Sequence, residues 1–192
     1  QTDERFAMSL VGTLGLGGQL RVDANYTGLL TDPNEPSVRL PELTTSALRP
    51  SVGGGLRLDF LPMRHVALGA SVTVIGTETA NDVVRRINDF GVFVAARLPM
   101  NVFEDGRTLT PYLLLPVGLS TGAGGPLPGN RRARLGAHVG LMAGVELEVL
   151  TGLSLFLEAG WQLHALRYEF MGLRESWRAN QAVIQLGLRA AR

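Results

Sequence analysis

The sequence has no cysteine, no lysine and no long uninterrupted apolar run within its 192 residues. Without cysteine it can form no disulfide, perform no thiol chemistry and hold no metal through thiolates. A membrane-spanning helix needs about 20 consecutive apolar residues, and Arg, Glu, Asp or His interrupts every candidate segment. These absences exclude a helical membrane protein, and the lack of lysine excludes a phosphate-binding loop of the P-loop type.

Charge is also scarce, because only 18% of the residues are charged and the formal net charge is +1. So small a charge creates no long-range field that would attract nucleic acid, and nucleic acid is not expected as a partner. The sequence shows no glycine-rich dinucleotide fingerprint and no metal-like spacing of His, Asp and Glu, so no cofactor and no metal are expected. The segment Asp32–Glu35 indicates turn chemistry rather than a calcium site.

Glycine, by contrast, is abundant at 24 residues, and it accompanies a regular alternation of apolar and other residues. In Arg134–Leu150, RLGAHVGLMAGVELEVL, every second residue from Leu135 to Val149 is apolar. A period of two is typical of a β-strand with one apolar face. The pattern predicts eight strands: Phe6–Val22, Leu48–Phe60, His65–Thr77, Val84–Leu98, Thr108–Ser120, Arg134–Leu150, Leu153–Tyr168 and Arg178–Arg189. Pro111 and Pro116 predict a bulge or a weak edge in the fifth run.

The apolar faces could line a soluble lipocalin-like barrel or meet the lipid around a membrane barrel. The other face is rich in Gly, Ala and Ser and poor in charge, which suits a crowded barrel interior better than a water-exposed sheet. Most runs exceed both the usual length of about 5–6 residues and the roughly 9–11 that a tilted membrane strand requires. Short and long connections also alternate, as in outer-membrane barrels. We therefore predict an all-β fold, an eight-stranded antiparallel up-and-down transmembrane β-barrel, formed by residues 1–192 as one domain.

Three segments carry a family resemblance: LGLGGQLRVD (14–23), LLLPVGLS (113–120) and LFLEAGWQLHALRYEF (155–170). With the overall pattern, they resemble the small eight-stranded outer-membrane β-barrel proteins of Gram-negative bacteria, the OmpA/OmpX/OmpW-like group. The resemblance implies a location in the bacterial outer membrane with N- and C-termini in the periplasm. The start at Gln1 without Met separately predicts a mature N-terminus from which a signal peptide has been cleaved. The sequence departs from the group at its end, LRAAR, where such barrels usually carry an aromatic residue.

The alternation also predicts which charged side chains face the lumen. Because an eight-stranded barrel is about wide enough for side chains to fill it, these residues are expected to pair as a structural plug. Inward glycines such as Gly136, Gly140 and Gly144 leave a narrow water-filled path as the alternative. The predicted lumen charge network is Arg21, Arg57, Asp59, Asp89, Arg97, Glu146, Glu148, Glu158, His164 and Arg189.

Three arginines, Arg86, Arg167 and Arg178, fall on lipid-facing positions near the outer strand ends. Arginine suits the headgroup level of a membrane, so we predict contact with lipopolysaccharide phosphates, with generic snorkelling as the alternative. Arg131, Arg132 and Arg134 predict a basic loop after the fifth strand. The candidate rim aromatics are Phe6 and Phe60 at the periplasmic side and Tyr168, Phe170 and Trp177 at the outer side, where the latter three require splayed strand ends.

The predicted function is non-enzymatic: a structural or interaction protein that acts through its extracellular loops. The loops at 23–47 and 121–133 are the predicted contacts for another outer-membrane or surface protein, beside outer-membrane lipid and lipopolysaccharide. The alternatives are a small porin-like channel for small or hydrophobic solutes and, third, a soluble ligand-binding barrel. Catalysis is not predicted, because Ser154 and His164 lie far apart on one strand and face inward.

Overall fold

The computed structural model describes residues 6–26, 42–78, 84–104, 106–123, 134–170 and 173–191. Nearly all of these residues lie in long antiparallel strands of one sheet, and none of them forms a helix able to cross a membrane. The strands are β1 (Phe6–Tyr26), β2 (Glu42–Leu48), β3 (Ser51–Met63), β4 (Val66–Glu78), β5 (Val84–Arg97), β6 (Met100–Asn101), β7 (Thr108–Ala123), β8 (Arg134–Leu150), β9 (Leu153–Phe170) and β10 (Leu173–Ala191).

The sheet closes on itself because β1, the first strand, pairs along its whole length with β10, the last. Between them each strand pairs with its neighbour in the chain, in the order β10, β9, β8, β7, β5, β4, β3, β1. Strand β2 continues the line of β3 along β1 after a break at Arg49–Pro50, and β6 is a two-residue extension beside β7. The wall therefore has eight strands, and the predicted up-and-down barrel is confirmed.

The two ends of the barrel differ in their connections. At one end, the turn end, β3 joins β4 through Arg64–His65 and β8 joins β9 through Thr151–Gly152. Gly152 has a φ of 75°, a left-handed conformation that glycine adopts without steric cost. Both described chain ends, Phe6 and Ala191, lie here, and Ala191 pairs with Ala7. The opposite end, the loop end, holds the long gaps between strands at residues 27–41 and 124–133, together with the short gaps 79–83 and 171–172.

The outward face of the wall is apolar. Large hydrophobic side chains such as Leu56, Val92, Leu141 and Trp161 are exposed around the whole circumference. The same positions would have to be buried in a soluble lipocalin-like barrel, so that alternative is wrong. At the turn end, the outward rings of Phe6 and Phe60 pack 5.1 Å apart.

One strand changes its facing halfway along its length. A β-bulge shifts the register of β1 between Gly15 and Gly17, and an extra residue exchanges the two faces of a strand. Beyond it, Leu20 is buried in the lumen at 2% exposure, whereas Arg21 is exposed on the outer surface. The prediction that Arg21 faces the lumen is therefore wrong, because the alternation was read through the bulge.

Several local predictions need correction. The segment from 23 to 47, predicted as one polar loop, contains the end of β1 and all of β2 except its last residue, Leu48. Strand β7 has no register shift at Pro111 or Pro116, although its pairing with β8 skips Leu115 and Pro116. Arg134 begins β8 and is fully buried rather than part of a basic loop. Arg131, Arg132 and the side chain of Phe170 lie outside the described residues.

Candidate functional site in the barrel lumen

The lumen at the turn end is crossed by a chain of alternating charges. Arg97 donates to one oxygen of Glu146 at 2.7 Å, and Arg189 donates to the other at 2.8 Å. The Nε atom of Arg189 donates to Asp59 at 2.9 Å. All four side chains are about nine-tenths buried. The chain links strands β3, β5, β8 and β10 across the lumen, so each buried charge has an opposite partner.

A second ionic group lies deeper, around Arg57. Its guanidinium donates to both oxygens of Glu158, at 2.5 and 2.9 Å, and to Gln185 at 3.1 Å. The hydroxyl of Tyr112 donates to the same Glu158 carboxylate at 2.5 Å. Glu158 is fully buried, and a two-pronged arginine–carboxylate pair is among the strongest charge-assisted hydrogen bonds. This group ties β3 to β9, on opposite sides of the wall.

Two aromatic rings hold the Arg57 guanidinium in place. It lies 5.2 Å from the ring centre of Phe93 and 5.3 Å from that of Phe156. Each ring covers a glycine on the neighbouring strand, Gly69 under Phe93 and Gly187 under Phe156, where a Cβ atom would clash with the ring. The inward glycines here are the space that the rings fill. They do not open a water path.

Gly144 also provides space that lumen side chains fill. A Cβ atom there would lie 2.7 Å from both Tyr112 and Glu158. At Gly136 it would clash with the backbone of Ala165, and at Gly140 it would lie 3.0 Å from Pro116. The three glycines of β8 therefore make room for the polar plug and for close strand packing.

A third polar group lies between the Arg57 layer and the loop end. Ser120 donates to Asp89 at 2.5 Å, and its oxygen lies 3.0 Å from Nδ1 of His138. The other oxygen of Asp89 lies 3.0 Å from Nε2 of His164. The four residues come from β5, β7, β8 and β9 and are all buried, with Ser120 at 0% exposure. His138 packs against Gly91 and Gly118, which leave room for its ring.

This Ser–His–Asp combination does not have the arrangement of a hydrolytic triad. In a triad the serine donates to the histidine, which in turn donates to the carboxylate. Here Ser120 donates directly to Asp89, so His138 must donate to the serine oxygen and cannot take its proton. Because Ser120 is inaccessible, no substrate can reach it either. The group serves to satisfy the buried carboxylate of Asp89.

The sequence prediction missed a fourth group, at the loop end. Arg134 pairs with Glu175 at 2.7 Å and lies 3.8 Å from the ring centre of Trp177, whose indole N–H also donates to Glu175. Trp177 is 1% exposed, inside an apolar cluster with Leu20 and other lumen residues. It is therefore a lumen residue and no part of an outer aromatic rim. The alternation of residues in β10 correctly indicated that Trp177 faces inward. In β8, Arg134 falls on the same set of alternate positions as the inward His138.

The described lumen has a vestibule of about 540 Å³ at the turn end. Its lining includes Arg97, Glu146, Arg189 and the half-exposed Glu148. Beyond that layer lies a cavity of about 20 Å³, close to the roughly 10–15 Å³ that one water requires. Ser9 Oγ, Asp59 Oδ1, Arg57 Nε and Arg189 Nη2, all from residues that line the cavity, have no hydrogen-bond partner among the described groups. One water suits this cavity, but a solute does not.

The structure thus brings nine of the ten predicted lumen residues to the inside of the barrel and puts Arg21 outside. The predicted lipid-facing arginines Arg86, Arg167 and Arg178 are all exposed on the outer surface. Arg86 lies on β5 and donates to Asn88 at 2.9 Å. The other two lie on the adjacent strands β9 and β10, on the other side of the barrel.

Solved structures with this fold are outer-membrane proteins. Neisserial surface protein A (NspA) superposes with a TM-score of 0.57 at 11% identity, with 97% of each chain covered. The outer membrane protein OprG from Pseudomonas aeruginosa gives a TM-score of 0.55 at 9% identity, with 98% of this chain and 96% of that chain covered. No family model matches the sequence, and no curated protein matches it. The chain has the fold of the small outer-membrane β-barrels, as predicted.

Proposed function

We propose that the protein is an integral barrel of the bacterial outer membrane, with a plugged lumen, that works as a non-enzymatic structural or interaction protein. The observation that carries this proposal is the filling of the lumen, among the described residues, by the ionic layers, the aromatic rings and the apolar loop-end cluster. Beyond the vestibule, the described lumen has a cavity large enough for only one water. A barrel that is apolar outside and filled inside is built to remain in a membrane and to present its ends.

The connections at the two ends of the wall support the proposed orientation. Two two-residue turns and both described chain ends occupy one end, whereas the longest gap between strands, residues 27–41, lies at the other. Outer-membrane barrels place short turns in the periplasm and longer loops outside. The proposal therefore has the termini in the periplasm and the long connections outside. The connections 27–41 and 124–133, the parts of the predicted loops 23–47 and 121–133 that lie outside the described residues, would then meet a surface partner. A protease-accessibility assay on whole cells with a tag after Arg192 tests the orientation, since the tag must be protected.

Single-channel recording in a planar bilayer tests the plug. The refolded protein should insert and give no conductance steps. If the plug is the barrier, the variant Glu158→Ala should give conductance steps, because loss of the carboxylate frees Arg57 and opens space beside Gly144. Reproducible steps from the unmodified protein, altered when Glu146 or Glu158 is neutralised, would replace this proposal by the pore.

A pore for small or apolar solutes remains the second candidate because of two features. The turn-end vestibule is open and polar. In addition, among the described residues no strand joins β2 to β4 at the loop end: β2 pairs only with β1, and Gly76 to Glu78 pair only with β5. This interruption of the wall follows the break at Arg49–Pro50. The conductance experiment separates the two candidates, since the plugged barrel predicts silence.

A further inference from the structure

The bulge in β1 brings together arginines that lie far apart in the sequence. Arg21, turned outward by the bulge, lies directly opposite Arg178 in the pairing of β1 with β10. Directly opposed residues of an antiparallel pair share a face, with Cβ atoms about 4.5–5.5 Å apart. Both side chains are exposed on the outer surface. Two like charges in this position repel one another unless an anion lies between them.

A third arginine extends the pair. Arg167 on β9 is exposed on the same surface and lies opposite Ser176, two residues from Arg178. That diagonal relation corresponds to a spacing of about 7–8 Å. The three residues, which we term the arginine triad, occupy the adjacent strands β1, β10 and β9. Within the described residues no ion pair is formed by any member of the triad.

The triad lies at the boundary between the apolar belt and the loop end. On β9 the outward residues before Arg167 are apolar, from Leu155 through Trp161 to Leu163. On the neighbouring strands the backbone N–H of Gln19 donates to the side chain of Asn180. Arg21 and Arg178 lie two residues beyond this pair, toward the loop end. Charge on the lipid face costs about 2–4 kcal/mol at the bilayer midplane and roughly 0–1 near its edge. The position of the triad at the edge of the apolar belt therefore favours lipid headgroups as its neighbours.

We propose that the arginine triad binds the phosphate groups of an anionic membrane lipid at the loop-end surface. Guanidinium groups bind phosphate through paired, parallel hydrogen bonds, and a phosphate between Arg21 and Arg178 converts their repulsion into attraction. With the orientation proposed above, the lipid is lipopolysaccharide of the outer leaflet, so this inference rests on that proposal. The nearby carboxylate is Asp23, exposed on the same face two residues beyond Arg21, and it opposes binding.

The test is a titration of the refolded, full-length protein in neutral detergent with bis-phosphorylated lipid A, read by native mass spectrometry. The double variant Arg21→Gln/Arg178→Gln should weaken binding by at least about tenfold, the loss expected when two charge-assisted contacts are removed. Asp23→Asn should tighten it. The matched control is Arg86→Gln. The sequence alone grouped Arg86 with Arg167 and Arg178, but the structure places it on the opposite wall, where it donates to Asn88, so this change should alter affinity by less than about twofold.

Two ligand arms identify the source of the phosphate. Dephosphorylated lipid A should bind no better to the unmodified protein than to the double variant. Inorganic phosphate alone should fail to displace bound lipid A. Displacement by inorganic phosphate would overturn the assignment to a lipid. If Arg86→Gln weakened lipid A binding as much as the double variant does, the binding would be general charge attraction and the proposed site would be overturned.

The outcomes also separate this inference from the proposed function. A protein that inserts silently into bilayers but does not distinguish lipid A from its dephosphorylated form leaves the plugged barrel intact and overturns the phosphate site. A protein that conducts, yet loses lipid A binding in the double variant, overturns the plug and supports the site. Failure to insert into any bilayer overturns both.

Discussion

The arginines inside the barrel and those of the triad outside it show one residue type in two surroundings. Arg57, Arg97, Arg134 and Arg189 each contact a carboxylate within 2.9 Å and are nine-tenths buried or nearly so. Arg21, Arg167 and Arg178 are exposed and contact no carboxylate among the described residues. The protein therefore neutralises its own charge inside the lumen and leaves it exposed on the outward face of the wall.

The difference has a physical cause. A charge in the lumen is removed from water, and the cost of an unpaired ion there amounts to several kcal/mol. At the headgroup level water and lipid phosphate are both present, and an unpaired arginine costs little. The comparison predicts large stability changes for lumen variants and small ones for the triad. Unfolding can be followed by fluorescence in urea, because one tryptophan, Trp161, faces outward and the other, Trp177, lies in the lumen.

The largest effect is expected for Glu158→Ala. The change leaves Arg57 and the Tyr112 hydroxyl without their acceptor in a buried site, and removing one partner of a buried pair costs about 3–5 kcal/mol. Urea unfolding in lipid vesicles measures the loss. As a control, Arg57→Met/Glu158→Leu should cost less than the single change, because no charge is left unpaired. A single variant as stable as the unmodified protein would show that the lumen is wetter than its packing indicates.

A smaller loss is expected for Arg134→Met. It removes one ion pair and the stacking on Trp177, and together these contribute about 2–3 kcal/mol. The same variant should shift the emission of Trp177, since the ring loses its cationic neighbour. An unchanged emission spectrum with unchanged stability would place Arg134 in the solvated loop that the sequence suggested.

Next in size is Ser120→Ala. It takes a donor from Asp89 and an acceptor from His138 in a site that is closed to water, with an expected cost of about 1–3 kcal/mol. Ser176→Ala, a change at an outward position of β10, is the matched control and should stay within about 0.5 kcal/mol. If the two changes cost the same, the buried polar group has no special role in holding β5, β7 and β8 together.

The smallest effect is expected for Arg21→Gln/Arg178→Gln. In vesicles of zwitterionic lipid the free energy of unfolding should stay within about 0.5 kcal/mol of the unmodified value, because the two residues stabilise nothing in the barrel itself. A loss as large as that of Arg134→Met would mean that the triad is part of the structure, and the contrast between inside and outside would fail.

Much of the fold and of the lumen site could be predicted from the alternation of residues. The eight strands, the outward apolar face and nine of the ten lumen charges follow from a period of two. The same parity placed Trp177 and Arg134 inward. The predictions of an outer aromatic rim and of a basic loop contradicted that parity and were wrong for these two residues. Ser120 and Tyr112 also carried the signal, since both alternate with the outward leucines of β7.

Other features could not be read in this way. The bulge between Gly15 and Gly17 has no unambiguous sequence mark, because glycine is frequent throughout the chain. Strand β2 was missed because Glu42–Leu48 is too polar to show an apolar alternation. Which carboxylate meets which arginine depends on strands that are far apart in the chain, as with Arg57 and Glu158, which are 101 residues apart.

The sequence by itself determined that this chain forms a closed, outward-apolar β-barrel, because strand alternation and the lack of any long apolar run leave few other folds. Only the tertiary structure decided which charges are neutralised and which remain available. The closure of β1 on β10 joins the two ends of the chain, and the bulge then turns Arg21 toward Arg178. Local pattern specifies the face of a strand, but the register between distant strands specifies which side chains meet.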